Sequence, residues 1–136
     1  MEDRKYLLQK IRPELKKAKV NEDTLSEERF QNQCLRPIAK FQNDLILEVF
    51  KVYIEYRKNV YRKLGLEKKT EYIENAIKKD SKIRRQLQGI FIGHFTLEEY
   101  KIYTSNYKAF NKRINNLCIE RIKSQMQFFE LTKTQE

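Results

Sequence analysis

Apolar residues recur every three or four positions along most of this chain, which is the spacing of one face of an α-helix. The longest such pattern runs over residues 37–64 and contains two apolar stripes, so that helix is expected to pack on two sides. Pro37 suits the first turn of a helix, where its missing N–H has no partner to lose. Gly65 is expected to end the helix in the left-handed conformation. The pattern therefore predicts a long central helix.

Other helical patterns lie before and after this one. We expect one all-α domain, a bundle of five or six helices with a long central helix and a long C-terminal helix. Residues 1–23 are expected to form an N-terminal helix and linker, residues 24–131 the main bundle and residues 132–136 a frayed tail. Three of the other helices are predicted at about residues 2–12, 67–80 and 97–131. A short helix is expected to begin at the capping residue Thr24 or Ser26, and a further helix at Asp80 or Ser81.

The composition supports long helices, because the 136 residues include only three glycines and two prolines, the residues that turns need most. No uncharged apolar run approaches the roughly eighteen residues of a membrane span, and the opening segment MEDRKYLLQK lacks the apolar centre of a secretory signal. Cys34 and Cys118 are far apart and belong to no CxxC motif, so we expect two buried, reduced thiols. These features predict a cytoplasmic protein without a membrane partner.

The segment GIFIGHFTLEEY, residues 89–100, is predicted to form a tight corner between two helices. Thr96 and Glu99 have the spacing of a capping box, in which each side chain binds the backbone N–H of the other residue. Phe95 and Tyr100 flank the cap at the positions of a hydrophobic staple, and Gly93 is expected to close the preceding helix in the left-handed conformation. The predicted corner consists of Gly89, Gly93, His94, Phe95, Thr96, Glu99 and Tyr100.

His94 is the only histidine, and the sequence favours a structural role for it. A catalytic histidine needs an orienting partner and a nucleophile or substrate proton within reach, and a helical di-metal site needs paired Glu-x-x-His motifs. Motifs for dinucleotide binding, phosphate-binding loops and serine hydrolases are missing as well. Gly89 and Gly93, four residues apart, are expected to let another backbone approach closely. We predict no catalytic residue, no metal and no cofactor; an enzyme that uses His94 and a cysteine is the third hypothesis.

Basic residues are concentrated in one part of the chain. Lys and Arg outnumber Asp and Glu by 29 to 19, a net charge of +10, and residues 57–86 alone carry +7. Only four acids, Glu67, Glu71, Glu74 and Asp80, oppose eleven bases there. Because these bases cluster at predicted helix ends and loops, we expect them to converge into one patch. The eleven are Arg57, Lys58, Arg62, Lys63, Lys68, Lys69, Lys78, Lys79, Lys82, Arg84 and Arg85.

Three interpretations of this charge remain open: a solvated helix surface, a surface that binds a phosphate backbone, and a surface that binds an acidic protein. Tyr53, Tyr56, Tyr61 and Tyr72 accompany the basic run and could stack on nucleobases, although their spacing also suits a helical core. The leading prediction is a non-enzymatic module that docks on RNA or on a nucleoprotein assembly such as the ribosome. The alternative is a cytoplasmic adaptor for an acidic protein. A membrane surface is disfavoured, because no helix pairs a bare apolar face with a wholly basic one.

Four segments carry a resemblance to a known family: LRPIAKFQNDLILEVFKVYIEYRKNVYRKLG, YIENAIKKD, GIFIGHFTLEEY and NKRINNLCIERIKSQ. Over about residues 35–128 the chain resembles a family of short cytoplasmic bacterial proteins that often carry the label glyoxalase. The label implies a metal-dependent lyase or dioxygenase built from βαβββ modules, with His and Glu ligands on strands. This sequence departs from that pattern, with helical periodicity throughout and one histidine, so we transfer neither an activity nor a site residue.

Overall fold

A computed structural model describes residues 3–12 and 26–130, and those residues form helices without any β-strand. The α-helical segments are α1 (Arg4–Ile11), α2 (Ser26–Phe30), α3 (Arg36–Phe41), α4 (Asn43–Tyr56), α5 (Leu66–Lys79), α6 (Ser81–Ile92), α7 (Leu97–Ser105) and α8 (Tyr107–Ser124). The predicted all-α class is confirmed. The predicted number of five or six helices is too low, because these eight described segments make seven helices when α2 and α3 are counted as one. The linker and tail predicted at residues 13–23 and 132–136 fall outside the described residues.

α8 occupies the centre of the bundle. It packs against α3, α4, α5, α6 and α7. The side chains that it buries recur at helical spacing, from Phe110 and Ile114 to Cys118 and Ile122. The central position that the sequence assigned to residues 37–64 therefore belongs to α8. In the described ranges no helix has the length and apolar character needed to cross a membrane.

The helix around Pro37 begins earlier than predicted. α2 continues through a π-helical turn, Gln31–Leu35, directly into α3. Arg36 accordingly donates its N–H to Gln31 O, five residues back. Proline has no N–H with which to continue the regular pattern, and the wider turn in front of it accommodates this loss. Pro37 therefore lies inside a continuous helix instead of starting a new one.

The helix predicted at residues 37–64 is interrupted twice. Gln42 separates α3 from α4, and a left-handed turn follows α4, where Lys58 has φ 58° and Asn59 has φ 57°. Asparagine tolerates this conformation because its short polar side chain can form local hydrogen bonds. Gly65 instead has φ −75° and ψ 170° and precedes α5 as its N-cap. The prediction that Gly65 closes a helix in the left-handed conformation is wrong, because the chain has already turned at Asn59.

The helix predicted at residues 97–131 is interrupted at Asn106. The Asn106 backbone has φ −155° and ψ 61°, which ends α7 and starts α8. Its side chain donates to Glu27 Oε1 of α2 at 3.2 Å. α8 ends at Ser124, and the chain continues in a 3-10 turn, Met126–Phe129. Two shorter helices and a turn thus replace the single long C-terminal helix.

This 3-10 turn closes an aromatic part of the core. Phe129 is 1% exposed, and its ring centroid lies 5.6 Å from that of Phe50 and 5.8 Å from that of Tyr61. Tyr72 of α5 joins them, with its ring 5.5 Å from that of Tyr61. Arg62 holds the turn in place, because its Nε–H donates to Phe129 O at 3.1 Å. The turn after α8 therefore completes the packing between α4 and α5.

Candidate functional site

The corner between α6 and α7 contains the predicted capping box. Thr96 Oγ1 accepts a hydrogen bond from the backbone N–H of Glu99 at 3.1 Å, and the Thr96 N–H donates to Glu99 Oε1 at 2.9 Å. Thr96 is only 5% exposed, so these bonds satisfy groups that have little access to water. The capping-box prediction is confirmed, and the box fixes the direction in which α7 leaves the corner.

The two glycines of the corner differ from their predicted roles. Gly93 has φ −61° and ψ −18°, a right-handed conformation, and its N–H donates to Gly89 O at 2.9 Å. The chain leaves α6 by tightening its last turn, since the N–H of His94 donates to Phe91 O at 2.9 Å. A Cβ added at Gly89 would meet nothing within 4 Å among the described residues. The prediction of a left-handed Gly93 is therefore wrong, and in the described part of the chain no other backbone closely approaches Gly89.

A third ring connects the two residues of the predicted staple. Phe95 is buried, and its ring centroid lies 5.5 Å from that of Tyr103, which in turn lies 5.9 Å from that of Tyr100. Phe95 also meets the ring of Phe30 in α2 at 5.6 Å. The cap is thereby joined to the core, while a direct contact between Phe95 and Tyr100 stays a prediction.

His94 is held by its neighbours in this corner. Its Nε2 lies 2.6 Å from the side-chain nitrogen of Gln42, and its ring meets that of Phe41 edge-on at 5.4 Å. A neutral imidazole can accept this bond at Nε2 from the Gln42 amide. Burial lowers the pKa of His94, and the positive charges of Arg12 and Arg4 lower it further. These contacts hold the His94 ring in place at the corner.

Both cysteines are buried free thiols. Burial raises the pKa of Cys118 to about 12. Burial also raises the pKa of Cys34, and the nearby Glu99 carboxylate adds to that effect. Since a protonated thiol is a poor nucleophile, both residues serve as small core side chains. Within residues 3–12 and 26–130, no group of three or more His, Cys, Asp or Glu side chains is placed to hold a metal ion.

Two arginines attach α1 to the corner, a contact that sequence reasoning missed. α1 buries no side chain of its own. Arg4 donates to two backbone carbonyls of the corner, at 2.9 and 3.1 Å. Arg12 donates to His94 O at 2.6 Å and forms a two-point ion pair with Glu99, at 2.6 and 3.0 Å. The partners are separated by 82 to 91 positions, so no local signal in the sequence marks this contact.

Three of the eleven predicted basic residues have structural roles. Arg62 donates to Phe129 O, as described for the aromatic core. Lys69 is only 15% exposed and pairs with Glu130 at 3.5 Å. Arg84 donates to the backbone carbonyl of Lys78, in the last turn of α5, at 2.8 Å. These three side chains stabilise the bundle, and the structure does not bring them to a shared open surface.

Six other bases of this run are exposed and form no ion pair with any described residue. Three of the four acids of the run, in contrast, are partnered: Glu71 lies 3.4 Å from Lys68, Glu74 lies 2.7 Å from Lys123 of α8, and Asp80 pairs with Arg57. The surplus of positive charge therefore stays on the surface without a close counter-charge. The six exposed bases are Lys58, Lys63, Lys78, Lys79, Lys82 and Arg85.

The end of α4 and the turn between α5 and α6 border a shallow, open cleft, which we call the Arg57 cleft. It consists of two adjoining cavities of about 540 and 490 Å³ that share Tyr53, Arg57 and Asp80. The larger cavity, the polar lobe, is also lined by Tyr72, Asn75, Lys79 and Ser81. The other, the apolar lobe, is also lined by Val49, Val52, Tyr56, Lys82 and Ile83. The cleft thus brings together three residues of the predicted patch: Arg57, Lys79 and Lys82.

Asp80 organises the wall between the two lobes. Its carboxylate accepts from the backbone N–H of Lys82 at 3.0 Å, so Asp80, one of the two predicted candidates, caps α6. It also accepts from the Tyr53 hydroxyl at 3.2 Å and pairs with Arg57. Burial acts to raise the pKa of Asp80, but the hydrogen bonds from Lys82 and Tyr53 and the Arg57 charge outweigh it and lower the pKa. Burial raises the pKa of Tyr53 to about 12. At neutral pH the wall therefore contains an ionised Asp80, a charged Arg57 and a protonated Tyr53.

Of the four tyrosines that accompany the basic run, all within the described part of the chain, only Tyr56 has an open ring. It is 84% exposed at the end of α4, whereas Tyr61 is 1% exposed. Tyr53 and Tyr72 are half-buried and pack against each other, with ring centroids 6.3 Å apart. Three of these rings thus pack in or against the core, as their helical spacing suggested, and a nucleobase has room to stack on the fourth, Tyr56.

Comparison with models of protein families, with curated proteins and with solved structures finds no match to this chain. Its functional assignment therefore depends on the charge and geometry of the Arg57 cleft, which Lys79 and Lys82 line, and on the other exposed bases of the run.

Proposed function

We propose that this chain is a non-enzymatic, basic binding module that docks through the Arg57 cleft on cytoplasmic RNA, either free or in a nucleoprotein assembly such as the ribosome. The observation that carries the proposal is the combination, in one cleft, of exposed bases with an open aromatic ring. Lys79 and Lys82 line the cleft without any described ion-pair partner, and Tyr56 at its rim is 84% exposed. Cationic grooves that also offer an aromatic ring are the usual means of binding single-stranded nucleic acid.

The charge around the cleft suits a phosphate backbone. Each phosphate that a lysine or arginine neutralises releases condensed counterions, so the affinity depends on salt. If all six exposed bases contacted phosphates of a single strand, the logarithm of the affinity would fall by about 4 for each tenfold rise in salt concentration. A slope between about 1 and 4 is therefore expected, according to how many of the six take part.

The test is a charge reversal that spares the structural arginines. Arg62 is excluded, because it holds the 3-10 turn at Phe129. The variant that we call the cleft variant carries Lys79→Glu and Lys82→Glu in the lining of the cleft and Arg85→Glu one helical turn further along α6, all at exposed positions. Surface changes of this kind usually alter the free energy of unfolding by no more than about 0.5 kcal/mol each, and circular dichroism verifies that the variant is folded.

A matched control has the same net charge as the cleft variant. It carries Lys101→Glu, Lys108→Glu and Lys112→Glu, exposed bases on α7 and α8 that do not line the Arg57 cleft. Binding to a short fluorescent oligouridine is measured by anisotropy at several salt concentrations. We expect the cleft variant to lose at least about tenfold in affinity and the control to lose much less.

Two results would overturn the proposal. Equal losses in both variants would mean that only the net charge matters, and unchanged binding in the cleft variant would exclude this surface. A pull-down from lysate with and without nuclease completes the test. A partner that survives nuclease and is lost in the cleft variant would identify the chain as an adaptor for an acidic protein instead.

A further inference from the structure

The two lobes of the Arg57 cleft offer different chemistry to a ligand. The walls of the apolar lobe include Val49, Val52 and Ile83, with the exposed ring of Tyr56 beside them. The polar lobe adds an amide, a hydroxyl and an ammonium group, from Asn75, Ser81 and Lys79, beside the apolar surface of Tyr72 and Ala76. A nucleotide is divided in the same way, into a flat base with little charge and a phosphate that is fully ionised.

We infer, on the basis of the proposed function, that the cleft is specific for single-stranded RNA: one unpaired base enters the apolar lobe against Tyr56, and the adjoining phosphate binds at Lys79 in the polar lobe. The wall of Tyr53, Arg57 and Asp80 separates these two positions. The inference therefore names the form of RNA that the module takes and assigns each lobe one part of the nucleotide.

The apolar lobe suits a base because its walls present little polar surface. Most of its accessible lining is apolar, and Val52 is 40% exposed next to Tyr56. A base that stacks on such a ring removes apolar surface from water on both partners. In a duplex the two faces of each base are already covered by their neighbours, and an A-form helix presents mainly its phosphates and 2′-hydroxyls. Only an unpaired base can reach the lobe.

The charges around the cleft set the direction of the nucleotide. The apolar lobe is lined by one exposed carboxylate, Glu48, and one exposed ammonium group, Lys82, neither with an ion-pair partner among the described residues, so their effects on a phosphate placed there oppose each other. Lys79 at the polar lobe is likewise without a described ion-pair partner. Asp80 in the wall does not repel the phosphate strongly, because Arg57 pairs with it. The phosphate is therefore stabilised at the polar lobe and the base at the apolar lobe.

The experiment compares three RNA probes of equal length: an oligouridine, the same backbone with abasic sites throughout, and a blunt duplex. Wild-type protein should bind the oligouridine at least about tenfold more tightly than the abasic strand, the effect of one stacked base. Tyr56→Ala should abolish that difference and leave the salt dependence unchanged. Lys79→Gln should weaken both strands and reduce the salt slope by about 0.7. Tyr107→Ala, which removes an exposed ring of α8, is the matched control and should change neither property.

The results separate this inference from the proposed function. Failure of the wild type to bind any of the three probes would overturn both. Binding that is equally tight for the oligouridine and the abasic strand would overturn the inference and leave the basic module standing, and so would a duplex bound as tightly as the single strand. A Tyr56→Ala variant that is folded by circular dichroism and still prefers the base-containing strand would also overturn it.

Discussion

The ion pair between Arg12 and Glu99 offers a quantitative test of how α1 is held. Its side chains are only 10% and 19% exposed, and the guanidinium and carboxylate meet at two points. The change to test is Glu99→Gln. Glutamine is also accepted at this position of a capping box, so the bond to the Thr96 N–H can be kept while the charge is removed.

The magnitude follows from the burial of the partner that remains. Removing one member of a buried ion pair costs about 3–5 kcal/mol, because the other charge is left without compensation. We expect about 3 kcal/mol for this pair, the lower end of that range, since Glu99 keeps some contact with water. The loss cannot exceed the free energy that docks α1, because an undocked Arg12 returns to water. Since α1 buries no side chain, release of that helix is the easiest way to return the uncompensated Arg12 charge to water.

The pH dependence gives a second, independent check. Burial acts to raise the pKa of Glu99, but the hydrogen bonds from Arg12 and the Thr96 N–H, together with the Arg12 charge, outweigh it and lower the pKa. A carboxyl group whose pKa is lower in the folded state stabilises the protein above its unfolded pKa, and that stabilisation is lost as the pH falls through the folded pKa. The difference in stability between wild type and Glu99→Gln should therefore be largest at neutral pH and shrink below about pH 4.

Urea unfolding followed by circular dichroism measures the global loss, and hydrogen exchange of the α1 amides detects release of that helix. Glu98→Gln is the matched control, because Glu98 is 75% exposed and pairs with Lys5 only at the surface. The control should lose less than about 1 kcal/mol. If both variants lost the same amount, or if α1 exchanged no faster in Glu99→Gln, the idea that the buried pair holds α1 in place would be refuted.

Three other expectations concern single positions. Thr96→Ala should lower the free energy of unfolding by about 1 kcal/mol in urea melts through loss of the helix cap, whereas Thr96→Ser, which keeps the hydroxyl, should lower it less; equal losses would contradict the cap. Lys58→Gly should raise the free energy of unfolding by up to about 1 kcal/mol, because glycine adopts the left-handed backbone conformation without strain. Lys63→Gly, in the following turn, should lower the free energy of unfolding. Alkylation of Cys34 and Cys118 in the native protein should be at least about a hundredfold slower than in denaturant, since both thiols are buried and protonated.

Local signals in the sequence were sufficient to predict a contact where the two residues are near neighbours in the chain. The capping box joins residues three positions apart, Thr96 and Glu99, and the Asp80 cap reaches only to Lys82. Their side chains have few alternative partners at that distance, so the pattern specifies the geometry. The same holds for the all-α class, which periodic apolar residues predict directly.

The helix boundaries could not be predicted, because the apolar stripe continues through the breaks. Tyr61 extends the stripe of α4 in sequence, but it lies in a 3-10 turn that buries it as completely as a helix would. The left-handed residues that cause the break are Lys58 and Asn59, neither of them a glycine. Pro37 likewise lies within a helix because a π-helical turn precedes it.

The basic run could be counted from the sequence, but the roles of its members could not be assigned. Whether a lysine faces a partner or the bundle depends on tertiary contacts, as the pairs Lys69–Glu130 and Lys123–Glu74 illustrate. The exposure of Tyr56 also depends on the turn that ends α4. The Arg57 cleft therefore became visible only in three dimensions.

The position of Phe129 determines when the aromatic core can close during synthesis of the chain. Its ring packs on Phe50 and Tyr61, and it is synthesised after both of them, at the other end of the bundle sequence. At typical rates of about 5–20 residues per second, the ribosome needs roughly 4–16 s to add the residues between Phe50 and Phe129. During that interval α4 and α5 can become helical, but their shared aromatic surface stays open to water. Until Phe129 has been added, the rings of Phe50 and Tyr61 lack the partner that covers them in the folded protein.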